Sequence, residues 1–318
     1  MRRLPFLVAL LLAPPALAAD HPTHTIKSDQ LTLTVYLPDA EKGFYRGTRF
    51  DWSGVFSVRF GKHTLFGPWR KADPTSHDSI VGPCEEFGTA AALGYADAKP
   101  GETFLKIGVG ELVKPDNEEK YSQFAAYKIA KAGGWKVTTT DAKVTSEQAM
   151  TAGGYGYKYT KIVAVQDAEV RIQHVLENTG KKAISTDCYN HNFFNVDADP
   201  VGGNYEIEFG FEPKADAPKE RFKELVKLDG KKLTLTGPLD KGSIFSGLTG
   251  FGTDAMDHRV TMRHTPTGVS VRATGDKPLS KVNVWGIGST ICPEPFVQLD
   301  VAPGKKAVWS WTYEFSKK

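Results

Sequence analysis

Cysteine is scarce in this chain, with three in 318 residues, at positions 84, 188 and 292. None has a second Cys nearby, which removes the paired-thiolate spacing of a structural zinc site, and three scattered residues cannot frame a disulfide scaffold. They read as small buried apolar side chains with at most one bridged pair. An excess of one charge is also missing. Lys plus Arg number 40 against 37 Asp plus Glu, a formal +3, so there is no basic field of the kind that nucleic acid or a membrane surface needs. Past residue 20 no apolar run approaches the ~20 residues of a membrane span. Nor is there a sustained strand–helix alternation, an internal repeat, or a Pro-, Gly- or Ser-rich linker, which argues against a parallel doubly wound fold and against propeller blades. What remains is a globular composition, 40% hydrophobic, with a partner that is small or neutral.

The first nineteen residues read as something other than fold. Arg2 and Arg3 give a positive start, Leu4 to Leu12 an apolar run, and Ala16-Leu17-Ala18 a small-x-small cleavage site. Together these predict a secretory signal peptide over 1–19, and an exported protein, periplasmic or secreted. Its removal leaves 38 basic against 37 acidic residues, a nearly neutral chain over 20–318.

Period-two alternation dominates the rest. Leu31, Leu33, Val35 and Leu37 alternate with Thr32, Thr34 and Tyr36, the pattern of a half-buried strand. It recurs around Phe56, Tyr157, Ile172, Ile207, Leu233, Val260, Val271 and Val284, and closes with Trp309, Trp311, Tyr313 and Phe315. Turn signals such as Asn178-Thr179-Gly180 and Ala302-Pro303-Gly304 separate the runs, and only 218–226 has a helical spacing. The pattern predicts one all-β domain over 20–318, a large antiparallel sandwich with few short helices.

Four segments break the strand pattern with clustered polar residues. The run from Tyr45 to Gly54 holds Arg46, Arg49, Asp51 and three aromatics, types that could stack on a pyranose and donate to its hydroxyls. Glu85 and Glu86 are adjacent on extended chain, so at most one of them faces a pocket. Asn190-His191-Asn192 is followed by Phe193 and Phe194, which suggests an imidazole oriented by amides beside an apolar wall. Glu294 lies between Pro293 and Pro295, a restrained backbone whose apolar flanks would raise a carboxyl into general-base range. By contrast, His174 alternates with Val170, Ile172 and Leu176 and reads as a core histidine.

On these residues the chain resembles the galactose mutarotase (aldose 1-epimerase) superfamily. The family's mid-chain signature is a strand ending in Asn-Thr, then a segment similar to Asn-His-x-Tyr-Phe-Asn-Leu. Here stand Glu177-Asn178-Thr179-Gly180 and Asn190-His191-Asn192-Phe193-Phe194-Asn195-Val196. Near the C-terminus Ile291-Cys292-Pro293-Glu294, Val301-Ala302-Pro303-Gly304 and the aromatic strand follow the family's order, and Asp257-His258 resembles its Asp-His. The resemblance implies a β-supersandwich in which Glu294 is the catalytic base, His191 the catalytic acid and Asp257 a substrate-binding carboxylate. It implies interconversion of sugar anomers by ring opening, base and acid on opposite sides of the hemiacetal, with no metal or organic cofactor. The family's Leu-His-Gly-Gly segment is replaced by Leu105-Lys106-Ile107-Gly108, which has no His. Arg46, Arg49, Lys106, Asn190 and Glu86 are the remaining candidates for holding the sugar.

Two other readings use the same fold: a noncatalytic carbohydrate-binding or accessory protein, and a lyase or hydrolase on an oligosaccharide. Asp197 and Asp199 could hold Ca²⁺, but they read more simply as a polar loop ending in Pro200.

Overall fold

The computed structural model describes residues 21–116 and 120–318. The expected signal peptide at 1–19 lies outside the described residues. Among the described residues are 23 strands, one α-helix (Glu220–Leu225) and one 3₁₀ turn (Ala255–Asp257), and every strand pair is antiparallel. The helical spacing at 218–226 becomes that single short helix, which buries Phe222.

Two sheets form the body. A ten-stranded sheet has the strands Tyr155–Gln166, Glu169–Asn178 and Lys306–Lys317 near its middle. A six-stranded sheet runs, from one edge to the other, through Lys214–Asp216, Ile244–Thr249, Lys281–Ile287, Thr290–Val301, Ile184–His191 and Cys84–Phe87. Alternate residues of a strand point to opposite faces. On the strand Lys281–Ile287, Val282 and Val284 are buried in the main core, as are Val297, Leu299 and Val301 of Thr290–Val301 and Ile184 and Cys188 of Ile184–His191. They share that core with Ile172, Leu176, Trp309, Trp311 and Tyr313 of the ten-stranded sheet. The two sheets therefore sandwich one apolar layer, the arrangement the alternating pattern demands.

The other face of the six-stranded sheet carries Lys281, Asn283 and Trp285, then Cys292, Glu294 and Phe296, then Tyr189 and His191, then Cys84 and Glu86. Register fixes this: Asn283 pairs with Glu294, Trp285 with Cys292, Tyr189 with Phe296, and Glu86 with Tyr189. A second aromatic cluster covers this face, drawn from the chain between Phe44 and Tyr127. All three cysteines are free and buried, on the three neighbouring strands Cys84–Phe87, Ile184–His191 and Thr290–Val301. The bridged pair that the sequence left open does not form.

Candidate active site

The ladder between Ile184–His191 and Thr290–Val301 stops at Tyr189 opposite Phe296. Just beyond lie Pro293 and Pro295, which have no N–H to donate. On the strand's other edge the ladder runs on, Asn190 and His191 pairing with Glu85 and Cys84 just as Cys188 and Tyr189 pair with Phe87 and Glu86. The two prolines thus do more than restrain Glu294: they release the strands from one another at the point where Glu294 and His191 meet. Glu294 lies on an interior strand of the six-stranded sheet.

His191 Nε2 lies 3.2 Å from Glu294 Oε1, and both side chains are almost fully buried. Asn283 Nδ2 approaches Glu294 Oε2 at 3.3 Å. Desolvation pushes the Glu294 pKa up to about 7, against the pull of the nearby Arg49 cation. Burial, with Arg49 again nearby, pushes His191 well below the usual histidine value, so the imidazole is neutral. Its Nδ1 is buried with no hydrogen-bond partner. An unpaired buried N–H costs more than an unpaired lone pair tucked against rings, so the proton belongs on Nε2, facing Glu294.

Aromatic packing fixes the ring. His191 stacks on Phe193 at 3.9 Å between centroids, Phe193 stacks on Trp69 at 4.8 Å, and Trp285 meets His191 edge-on at 5.7 Å. The orienting amides expected from the sequence do not contact it. Asn190 donates to the Tyr313 hydroxyl at 2.7 Å, and Asn192 donates to the Pro293 carbonyl at 2.9 Å. Asn190 is one residue from His191 on extended chain and so faces the core.

These groups line a cavity of about 600 Å³, together with Arg49, Phe124, Tyr189, Lys219, Phe245, Lys281 and Phe296. That volume suits a small ligand, and the mixture of planar rings with a few polar groups suits one that has both apolar and hydroxyl faces.

Arg49 reaches the cavity from the loop after Tyr45. The Tyr45 hydroxyl accepts from the Arg49 and Phe50 amides at 3.3 and 3.2 Å, and Trp52 Nε1 donates to the Gly47 carbonyl at 2.8 Å. A side chain at 47 would collide with the Tyr45 ring, so only Gly permits this coil. The guanidinium lies 4.5 Å from the Phe50 centroid and 4.8 Å from that of Phe124. It donates to Glu86 Oε2 at 2.8 Å and to the Tyr189 hydroxyl at 3.0 Å, and that hydroxyl donates to Glu86 at 2.7 Å.

The remaining sequence candidates are placed elsewhere. Glu86 is buried behind Arg49 and positions it rather than lining the cavity. Lys106 lies deeper still, donating to the Phe87 carbonyl at 2.6 Å and the Tyr121 hydroxyl at 2.8 Å, and burial lowers its pKa to about 8. Arg46 turns away to the Glu41 carbonyl. Asp257 sits in the 3₁₀ turn, accepting from the Gly252 amide at 2.6 Å, beside the core-facing sides of Pro293 and Pro295 and so on the other side of the sheet from Glu294. Its neighbour His258 accepts from Trp311 Nε1 at 3.0 Å in the interior. Arg46, Lys106, Asn190, Glu86 and Asp257 are therefore not cavity residues, and of the sequence's binding candidates Arg49 alone is one. Asp197 and Asp199 are taken up by His63 at 2.6 Å and His264 at 2.8 Å.

Glu85 faces the opposite way from Glu86, as adjacent strand residues must. It contacts Lys161, which also lies 3.6 Å from Asp51, and all three side chains are fully buried. His174 completes this cluster 3.4 Å from Glu85, stacked on Trp309 in the core as its alternation implied.

The fold is that of the galactose mutarotase-like structures, an all-β antiparallel supersandwich. Among solved structures, the chain is similar to a protein from Synechocystis sp. PCC 6803, at 12% identity and TM-score 0.59, over 95% of this chain and 99% of that one. It is similar to a galactose mutarotase-like protein from Clostridium acetobutylicum (12% identity, TM-score 0.58, 94% and 96% of the two chains). A third such structure is an aldose epimerase homologue from C. elegans (13%, 0.55, 93% and 99%). No protein-family model and no curated protein sequence matches the chain.

Proposed function

We propose that this chain is an exported aldose 1-epimerase-like enzyme that interconverts the anomers of a sugar by acid–base ring opening. The observation that carries the reading is the His191–Glu294 contact of 3.2 Å on the floor of an aromatic-walled cavity. Glu294, poised at about 7, takes the anomeric O1 proton, and His191 Nε2–H donates to the ring O5 as the C1–O5 bond breaks. O1 and O5 sit on one carbon, so two groups side by side can serve both. This arrangement replaces the expected one, with acid and base on opposite sides of the hemiacetal. The contact has a further consequence. The proton that Glu294 gains can pass to His191, so the pair ends each ring opening in the protonation state in which it began. After rotation about C1–C2 the steps reverse.

The Phe193, Trp69 and Trp285 rings offer a surface for the C–H face of a pyranose, and Arg49 and Asn283 offer hydroxyl donors. The test is exchange between sugar anomers, followed by polarimetry or magnetisation-transfer NMR over a panel of aldoses. Acceleration that disappears in Glu294→Gln supports the reading. Sugar affinity without turnover, surviving Glu294→Gln, replaces it with a noncatalytic binding protein. Release of unsaturated, ultraviolet-absorbing ends from an oligosaccharide replaces it with a lyase.

A further inference from the structure

The cavity is larger than one sugar. The twelve heavy atoms of a hexose fill about 360 Å³ when each is given ~30 Å³, the share of a water molecule in the liquid and a generous one for bonded atoms. Of the cavity's volume of about 600 Å³, more than a third is therefore left once a hexose sits against His191 and Glu294. That pair lies in the closed part. Phe193 and Phe50 border the His191 ring at 3.9 and 5.6 Å between centroids, Trp69 backs Phe193, and all three are buried. In the other direction across the sheet the lining opens. Asn283, Trp285 and Phe245 are half-buried, and Lys219 beyond them is exposed.

Strand register sets the length of this opening. Phe245 pairs with Trp285, Trp285 pairs with Cys292, and Glu294 stands two residues along from Cys292 on the same face. Two strands across and two residues along put the Phe245 backbone about 12 Å from that of Glu294, from a strand spacing of ~4.8 Å and a rise of ~3.3 Å per residue. A single pyranose at the catalytic pair does not reach that far. Trp285 joins the two places, with its ring 5.7 Å from that of His191 and its backbone beside Phe245. Phe245 is held in turn by Lys219, whose amide donates to the Phe245 carbonyl at 3.0 Å and whose ammonium lies 5.5 Å from the ring centroid.

From this geometry we infer that the substrate is the reducing end of an oligosaccharide. Its terminal residue meets His191 and Glu294, its next residue lies against Trp285 and Phe245, and Phe245 determines the preference for the longer sugar. This rests on the anomer-interconverting reading above and deepens it. Ring opening needs a free anomeric hydroxyl, so whatever fills the outer part of the cavity is joined to the reacting sugar through another of its oxygens. An acyl or alkyl group placed there would strip water from the Asn283 amide and the Lys219 ammonium without replacing its hydrogen bonds. A second pyranose supplies both needs, with a C–H face for the rings and hydroxyls for the amide and the ammonium.

The experiment measures kcat/KM for reducing-end anomer exchange of maltose and cellobiose against glucose, galactobiose against galactose and xylobiose against xylose. It is run on the wild type, Phe245→Ala, Phe245→Tyr and Phe124→Ala. The expected result is a disaccharide-to-monosaccharide ratio of about tenfold or more for at least one pair in the wild type, the scale of covering one apolar side chain. That ratio falls toward one in Phe245→Ala and is kept in Phe245→Tyr. Ratios near one for every pair overturn the inference, and so does a ratio indifferent to Phe245→Ala. A ratio that falls only in Phe124→Ala overturns it too, because it puts the second residue against the exposed ring beside Arg49 instead. If no sugar is turned over, the anomerase reading fails, and calorimetry on the same proteins decides this one separately. Disaccharide binding tighter than that of the matching monosaccharide and weakened by Phe245→Ala upholds the second subsite. Equal binding, no binding, or binding indifferent to that change removes it.

Discussion

Replacing Glu294 with Gln should make the protein more stable at alkaline pH while abolishing the anomer exchange proposed for it, and the size of the gain follows from the site. The carboxyl is 5% exposed, and desolvation lifts its pKa from 4.5 to about 7. A folded-state pKa above the unfolded value means that the native state binds the proton more tightly. The stability linked to this group is complete below about pH 4.5 and is lost as pH rises through 7. At 1.36 kcal/mol per pKa unit, the loss is on the order of 3 kcal/mol. Gln keeps the shape without the charge. Its carbonyl can accept from His191 Nε2, and Asn283 can turn its amide to present an oxygen.

The cleanest window lies above pH 6.5. Below it, the depressed pKa values of His174, His191 and His258 act in the opposite direction, because an unfolded histidine binds protons there that the folded one refuses. The assay is urea unfolding of wild type and Glu294→Gln at several values between pH 6.5 and 9. Across that range the wild type should lose about 1 kcal/mol more than the variant, the larger part of the loss falling between pH 4.5 and 6.5. Glu85, also raised to about 7, contributes a slope of the same sign to both proteins and cancels in the difference. Equal slopes would refute the claim that burial strains Glu294. A variant less stable than wild type at pH 9 would refute it too.

The same ionisation should appear in catalysis: anomer exchange should rise with pH through about 7 and then level off, and a flat profile between pH 5 and 9 would exclude Glu294 as the base. Arg49→Met leaves Glu86 buried without its guanidinium partner, so it should cost about 3–5 kcal/mol in chemical denaturation as well as activity. Lys161→Met strands Glu85 and Asp51 in the core and should cost a similar amount, about 3–5 kcal/mol, although Lys161 is remote from the cavity. Asp257→Asn should leave the kinetics of sugar exchange unchanged, and a large rise in KM would show that its placement behind the sheet is wrong.

Much of the sandwich was legible because a sheet with one face on the core writes its period into the sequence. Strands around Leu33, Ile172, Val260 and Trp311 appear where alternation places them. Glu294 and His191 stood out as candidates through their flanking prolines and aromatics, and the fold brings the two together at 3.2 Å. The rest of the lining was hidden by the same periodicity that revealed the strands. Val282 and Val284 marked a strand by their apolar side, and the partners on its other side, Lys281, Asn283 and Trp285, drew no attention, although parity alone sends them to the face opposite the core. Parity would also have excluded Asn190, since its neighbour His191 faces the cavity. Asp257 and Lys106 are a different matter. One lies in a 3₁₀ turn behind the sheet and the other under Glu86, and no local pattern records on which side of a sheet a distant loop is laid down. Arg49 shows the converse: its position depends on the coil that Gly47 permits and on an ion pair with Glu86, a residue 37 positions away in the chain. Side-chain direction within a strand is thus a local property that the sequence carries, whereas the meeting of loops over a sheet is set by contacts far apart in the chain.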